Sequence, residues 1–526
     1  MFLTPVALAV LLQLHLDYEL LVAEDARGDA TSLIEALSSA DTNIQIQAVR
    51  ALGRFERPEL AAHVTPLLDA DAAELRMESA NALAQMKADN AGIGERLEQE
   101  TVPEVRAALY ESLGRVPDSR ESTLVAGLSE ADSVRIGAVK GLEALLRTRG
   151  VAPSNDAVLA LRDAVKDSPS STIRQLALLA LNRAEDRDVE TLETAWNGAD
   201  PQVRRLAILG LGEWRSDPSP MVRYAALRVA PTCEHAHDAL TDVSEHVVLL
   251  AIDSLGEGCS PDALATLLDS EDWRRSSRAL VSLAKVDPAA ARKALPRFVQ
   301  HRVWQARVYA ARAARILDDD ASLATLRRDP HPNVVGSALV TPGHALDALA
   351  SDDYGLLVRA VGLLEGWDDG ASAIPTLQGT LRRITAQKRA TSRDPRRGLL
   401  ERLSEFGDVS GLEYLVDDFD PFIANIAATL TSTEPKTLRF APSPVPDKEY
   451  LDALVGASAR VSMKESGSFT LELLPAHAPF TVAQFAKLAE TGYYNGPDVS
   501  SHRAEFRPPG RKPRRERVRR NAPLHS

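Results

Sequence analysis

The chain has 526 residues, of which 44% are hydrophobic and 26% charged, the balance of a soluble protein with about three or four globular units unless the sequence repeats. Aromatics at 5%, two cysteines and a formal charge of −13 exclude a disulfide-dense scaffold, a polytopic membrane protein, and nucleic acid as the default partner of the whole chain.

The chain opens on an apolar run, Met1 to Leu12, closed by Asp17 and Glu19 and too short to span a membrane. No Lys or Arg precedes the run and no A-x-A site follows it. It reads equally as the core of a secretory signal and as a first helix, so an exported and a cytoplasmic location both stay open.

From about residue 25 to 430 one phrase returns: an aliphatic residue, usually an Arg, an Ala-rich run, then Leu. Leu75-Arg76 leads to Ala80 and Leu83, Val105-Arg106 to Leu113, Val134-Arg135 to Leu142, Ile173-Arg174 to Leu181, and Val203-Arg204 to Leu211. Offsets of four and eight put these residues on one helical face, and the small Ala between them admits a neighbouring helix. The closing Leu recurs at 52, 83, 113, 142, 181, 211 and 255, a period near 30 with two longer steps. Two helices per period imply stacked hairpins, since no single hairpin buries its own apolar stripe. Asp200-Pro201, Asp217-Pro218, Asp329-Pro330 and Asp420-Pro421 read as helix starts, and Gly53, Gly114, Gly212 and Gly256 as helix stops. Over roughly three quarters of the chain the pattern resembles HEAT repeats, especially their short bacterial form. The resemblance implies an α-α superhelix that binds protein or peptide clients.

The recurring arginines (Arg76, Arg106, Arg135, Arg174, Arg204, Arg223) suggest either a basic binding ladder or ion pairs that order the stack. The second reading is preferred, because paired charges on helices are the common case. Val203-Arg204 and Val222-Arg223 lie too close for a full hairpin between them, so a helix is expected to be short or missing near Trp214 to Pro220. Arg382, Arg383, Lys388, Arg389, Arg393, Arg396 and Arg397 crowd one segment, read as a solvated inter-repeat loop. Cys233 and Cys259 lie about one repeat apart, placed to form a disulfide if the protein is exported. The cluster Cys233, His235, His237, His246 and Cys259 lacks paired metal-ligand spacing, and no metal is expected there.

Pro435, Pro442, Pro444 and Pro446 mark a linker. Alternation then appears over 459–463 and 469–474 around Gly467, a hairpin signal. An amphipathic helix follows over 482–489, with Thr481 as N-cap. The phrase FTLELLPAHAPFTVAQFAKLAETGYYNG resembles the opening of bacterial cyclophilin-type peptidyl-prolyl cis-trans isomerases, with Gln484 where that family usually has Asn. The resemblance implies an eight-stranded barrel with a catalytic Arg in an L-T-F-H-R phrase directly after G-Y-Y-x-G. Here Gly496 is followed instead by a segment with nine Lys/Arg against three acids. Read one base later, degenerate codons from Pro497 onward permit the family's continuation, so the tail is expected to be a frameshifted remnant. Codons at Pro497 to Gly510 unable to spell that string would refute this. Arg503 and Phe506 are therefore given neither the catalytic nor the pocket role.

The expected division is a signal-like or first-helix segment at 1–24 and an all-α HEAT-repeat solenoid at 25–432. A Pro-rich linker at 433–456, an incomplete cyclophilin-like β-barrel fragment at 457–496 and a basic, Pro-rich disordered tail at 497–526 complete it. The expected function is a protein-binding scaffold carrying a peptidyl-prolyl cis-trans isomerase domain that is inactive in this chain. The alternative is a non-enzymatic scaffold with the C-terminal fragment as passenger. No catalytic residue, cofactor, specific nucleic acid or membrane span is expected.

Overall fold

The aliphatic and alanine positions of the repeated phrase are buried: Leu75, Ala80, Leu83, Val105, Val134, Ala138, Leu142, Ile173, Ala177, Leu181, Val203 and Ala207 all lie in the interior. Burial along one stripe per helix forces neighbours to stack. The computed structural model has twenty-nine α-helices among the described residues, 18–26, 29–89, 92–117, 120–150, 152–434, 446–463, 467–475, 478–495 and 502–507. The stack itself is all-α. Contacts divide it into two units, one of residues 1–127, 133–148 and 441–526, the other of 128–132 and 149–440.

In the first unit the second helices of successive hairpins, Thr42–Arg54, Ala73–Gln85 and Pro103–Leu113, pack on one another. Glycines set the closest approach. A Cβ at Gly114 would lie 1.9 Å from the carbonyl oxygen of Gly141, so the two backbones touch there. Gly114 therefore does not stop its helix in a left-handed turn, as the sequence suggested. Its φ is −67°, and it is there for lack of volume. Gly53 likewise lies inside its helix against Ala82. Only Gly212 of the four expected stops is a left-handed cap, at φ +68° after the helix Pro201–Leu211.

In the second unit a continuous row of second helices runs Ser171–Arg183, Pro201–Leu211, Pro220–Val229, Glu245–Ser254, Trp273–Val286, Trp304–Ile316, Pro332–Ala338, Tyr354–Leu363 and Arg393–Glu405. The expected missing helix is confirmed: Pro201–Leu211 packs directly on Pro220–Val229, with no helix in between. Asp200 and Asp420 cap their helices as expected, through Gln202 N–H and Phe422 N–H. Asp217 and Asp329 do not; their helices begin at Pro220 and Pro332, because the turn Asp-Pro-x-Pro delays the first helical residue.

The C-terminal part of the first unit departs from the expected linker and tail. Lys448–Ala453 is a helix capped by Asp447, while residues 435–445 lie outside the described residues. The expected hairpin is present: β1 (Ser458–Met463) pairs antiparallel with β2 (Gly467–Glu472), Ala459 opposite Leu471. The helix after it runs Pro479–Glu490, with Pro479 at its first turn rather than Thr481 as cap, since proline's fixed φ already suits that position. β3 (His502–Arg507), inside the segment read as disordered, pairs with β1 and gives the order β2-β1-β3. The rest of 497–526 lies outside the described residues. Three strands are described, not a closed barrel. Residues 1–17 also lie outside them, but Tyr18–Ala26 is a helix whose Leu21 is buried in one cluster with Leu451, Leu454, Ala459 and Ala486.

Candidate binding surface

The recurring arginines are fixed by the start of their own helices. Each sits in the first turn of its helix. Arg204 donates through Nε and Nη2 to Asp217 at 2.7 and 3.0 Å, and through Nη1 to the carbonyls of Gly198 and Ala199. Arg223 repeats this on Asp242 at 2.6 and 2.7 Å, and on the carbonyls of Asp217 and Pro218. Arg76 does the same with Glu100, and Arg307, which the sequence did not single out, with Asp329. The acids in turn accept backbone N–H groups two residues on: Val102, Ser219, Ser244 and His331. Arg106 donates to the carbonyls of Leu97 and Glu100. Arg76, Arg204, Arg223 and Arg307 are thus spent inside the stack.

Burial alone would raise the Glu100 carboxyl. Hydrogen bonds from Arg76, Arg96 and the Val102 N–H outweigh it and hold the group at about 2. Asp217 and Asp329 are likewise pushed up by burial but held below the usual carboxylate range by Arg204 and Arg307.

The basic segment is not a loop. It spans two helices, Ile374–Ala386 and Arg393–Glu405, joined by the short turn Ala390–Ser392. Leu377, Leu381, Ile384, Leu399, Leu400 and Leu403 are buried at helical spacing and hold it in the core. Arg383, Arg393, Arg396 and Arg397 are paired. Arg383 pairs with Asp352, and Arg393 with Asp420 at 2.7 Å. Arg396 is fully buried, on both oxygens of Asp418 at 2.7 and 2.8 Å and over the Phe419 ring.

Cys233 and Cys259 form a disulfide. His235 stacks on Trp214 and its Nδ1 lies 2.9 Å from the Ala230 carbonyl, so this histidine serves the loop that replaces the missing helix. Among the described residues no cluster of His, Cys, Asp or Glu is placed to hold a metal, and no helix is long and apolar enough to cross a membrane. The side chain of Arg503 lies outside the described residues; its backbone pairs with Ser462.

One cleft on the row of second helices, of about 250 Å3, was not legible in the sequence. It is lined by Trp304, Val308 and Arg312 of one helix, by Asn333, Gly336 and Ser337 of the next, and by Leu356 and Arg359 of the third. The middle helix, Pro332–Ala338, has only seven residues, and Gly336 and Ser337 are small, so the longer neighbours stand above it. Arg312 and Arg359 are 47 positions apart in the chain, share no motif, and meet only through the stacking.

The family described as HEAT repeats matches residues 30–114. Among solved structures the chain is similar to the karyopherin Kap121p bound to the extreme C-terminus of the protein phosphatase Cdc14p, at 11% identity and a TM-score of 0.36, over 76% of this chain and 56% of that one. It is similar to yeast importin-beta (Kap95p) at 12% identity and a TM-score of 0.38, over 81% and 70% of the two chains. An engineered protein gives 17% identity and a TM-score of 0.21, over 78% and 98%. The chain thus spans just over half the length of Kap121p.

Proposed function

We propose that this chain is a protein-binding scaffold built of HEAT repeats, and that its C-terminal segment is the opening part of a cyclophilin-type fold without isomerase activity. The observation that carries the scaffold reading is the unbroken row of nine second helices in the second unit, from Ser171–Arg183 to Arg393–Glu405. Stacked hairpins of this kind offer an extended surface rather than an enclosed pocket. Exposed apolar residues on the row, such as Val358, have no structural need to face water. Incorporating a photo-crosslinking amino acid at Val358 in the full chain, then irradiating in cell extract, is expected to give protein adducts. Adducts no more abundant than those from Val189, an exposed residue on the helix Val189–Trp196 outside that row, would overturn the reading.

The cyclophilin reading is supported by the order hairpin, helix, then Tyr493–Asn495, which matches the order the resemblance implies. Isomerisation must lower a barrier of about 20 kcal/mol, by an Arg at the proline side of the amide and an apolar pocket for the ring. The residues after Gly496 do not carry that Arg's phrase. A protease-coupled prolyl isomerase assay on the full chain is expected to show no catalysis, and cyclophilin-like rates would overturn this. Leu21 buried among Leu451 and Leu454 speaks against the alternative of an idle passenger.

A further inference from the structure

We propose that the cleft between the helices Trp304–Ile316, Pro332–Ala338 and Tyr354–Leu363 receives an acidic segment of a partner protein, with a carboxylate held between Arg312 and Arg359. This rests on the scaffold reading and names the chemistry of its client.

The cations of the cleft are unmatched. Elsewhere in the second unit Arg204, Arg223, Arg307 and Arg396 are each within ion-pair distance of an acid. Among the described residues Arg312, Arg315 and Arg359 have no such carboxylate. The acid that Arg312 does influence, Asp253, is already bound by Arg278. Arg359 donates Nε–H to the Gly336 carbonyl, which fixes the side chain, and among the described residues its Nη groups have no acceptor. Burial, followed by the like charges of Arg315 and Arg312, pushes the Arg359 guanidinium below its ordinary value. An arriving anion relieves that repulsion, which is differential binding energy available to a ligand and absent from the empty cleft.

Shape and setting favour a peptide. Trp304, Val308 and Leu356 supply an apolar lining for side-chain methylenes, and Asn333 adds an amide beside it. Gly336 is needed here, since a Cβ would lie 2.9 Å from Cδ of Arg359 and displace it. Tyr309 lies between Arg278 and Arg312, with guanidinium carbons 5.5 and 4.8 Å from the ring, so Arg312 is held in place. A long polyanion is repelled by a chain of charge −13, whereas a short acidic segment meets only the local cations.

The test is fluorescence anisotropy with fluorescein-labelled hexaglutamate and the full chain. Wild type is expected to bind, and Arg312→Glu/Arg359→Glu to weaken binding at least about tenfold. The control pair Arg187→Glu/Lys293→Glu changes net charge equally at exposed positions outside the cleft and is expected to bind as wild type. No binding by wild type, an equal loss in both pairs, or displacement by oligothymidylate at the same concentration as by unlabelled peptide would each overturn the proposal. Circular dichroism checks that the variants fold. Adducts at Val358 that persist while hexaglutamate fails would locate the error in the client's chemistry rather than in the scaffold reading.

Discussion

Arg396 and Asp418 are both buried, and each is the other's main compensation for leaving water. Removing one partner of such a pair strands the other, at a cost of about 3–5 kcal/mol, while replacing both is far milder. Arg396→Met is therefore expected to lose stability of that order in denaturant unfolding, and Arg396→Met/Asp418→Asn to recover much of it. A single variant as stable as wild type would show that the pair contributes nothing. Glu100 ties stability to pH. Its carboxyl is held at about 2 in the fold against 4.5 unfolded. A depressed group contributes stability that is complete above the unfolded value and is lost as pH falls towards the folded one. Stability is expected to fall between pH 4.5 and 2, and Glu100→Gln to flatten the profile in that window. The structural role of Arg76, Arg204 and Arg223 was legible from their place after the aliphatic anchor. Their acids were not, because the separations vary: 24, 13, 19 and 22 residues for Arg76, Arg204, Arg223 and Arg307. A signal shared by all of them but Asp242 was nevertheless present, an acid three positions before a helix-opening proline: Glu100 and Pro103, Asp217 and Pro220, Asp329 and Pro332, and also Asp418, the acid of Arg396, with Pro421.

At the scale of the element, what decides each glycine is what stands opposite it. Gly114→Ala sets a methyl against the backbone oxygen of Gly141, which cannot swing aside as a side chain does. The expected loss is about 1–3 kcal/mol, from a shift of one helix against the other. Gly212→Ala meets open space and bears only the left-handed backbone, about 1 kcal/mol. Comparing the two unfolding midpoints tests this, and the reverse order would mean that the helices do not pack as described. The disulfide acts between elements. Cys233 opens the helix Cys233–Ala239, and Cys259 follows the helix Glu245–Ser254, 26 residues on. Closing a loop of that size restricts the unfolded chain by roughly 3–4 kcal/mol. Cys233→Ser/Cys259→Ser, or reduction of wild type, is expected to lower stability accordingly. Helix positions were readable because burial imposes period 3.6 on the sequence, and the missing helix near Trp214 because spacing counts residues. The glycine roles were not, because a cap and a close approach use the same residue for different reasons. The basic segment was misread because a run of charge looks the same on a helix's outer face as in a loop.

For the whole molecule, the first unit joins the two ends of the described sequence. Leu21, from the helix Tyr18–Ala26, is buried with Leu451 and Leu454 of the segment that opens the C-terminal part, more than 400 positions away. Nothing local in the sequence marks such a contact: the hairpin and helix of residues 458–490 were legible from alternation and amphipathicity, but their docking partner was not. If the C-terminal part is a structural cover, disturbing it must be felt at the other end. Leu451→Ala and Leu454→Ala each remove a buried side chain, at roughly 2–5 kcal/mol where the cavity does not collapse. Loss of that order is expected to free the helix Tyr18–Ala26, whose Glu24 is otherwise buried in a pair with Arg54. In limited proteolysis of the full-length Leu451→Ala/Leu454→Ala chain, cleavage within residues 18–26 is expected to accelerate together with cleavage within 446–495. An autonomous C-terminal part would show only the second, with the first at the wild-type rate. That result would detach the sheet and its helix from the fold of the hairpin stack and restore the reading in which they are carried without contributing to it.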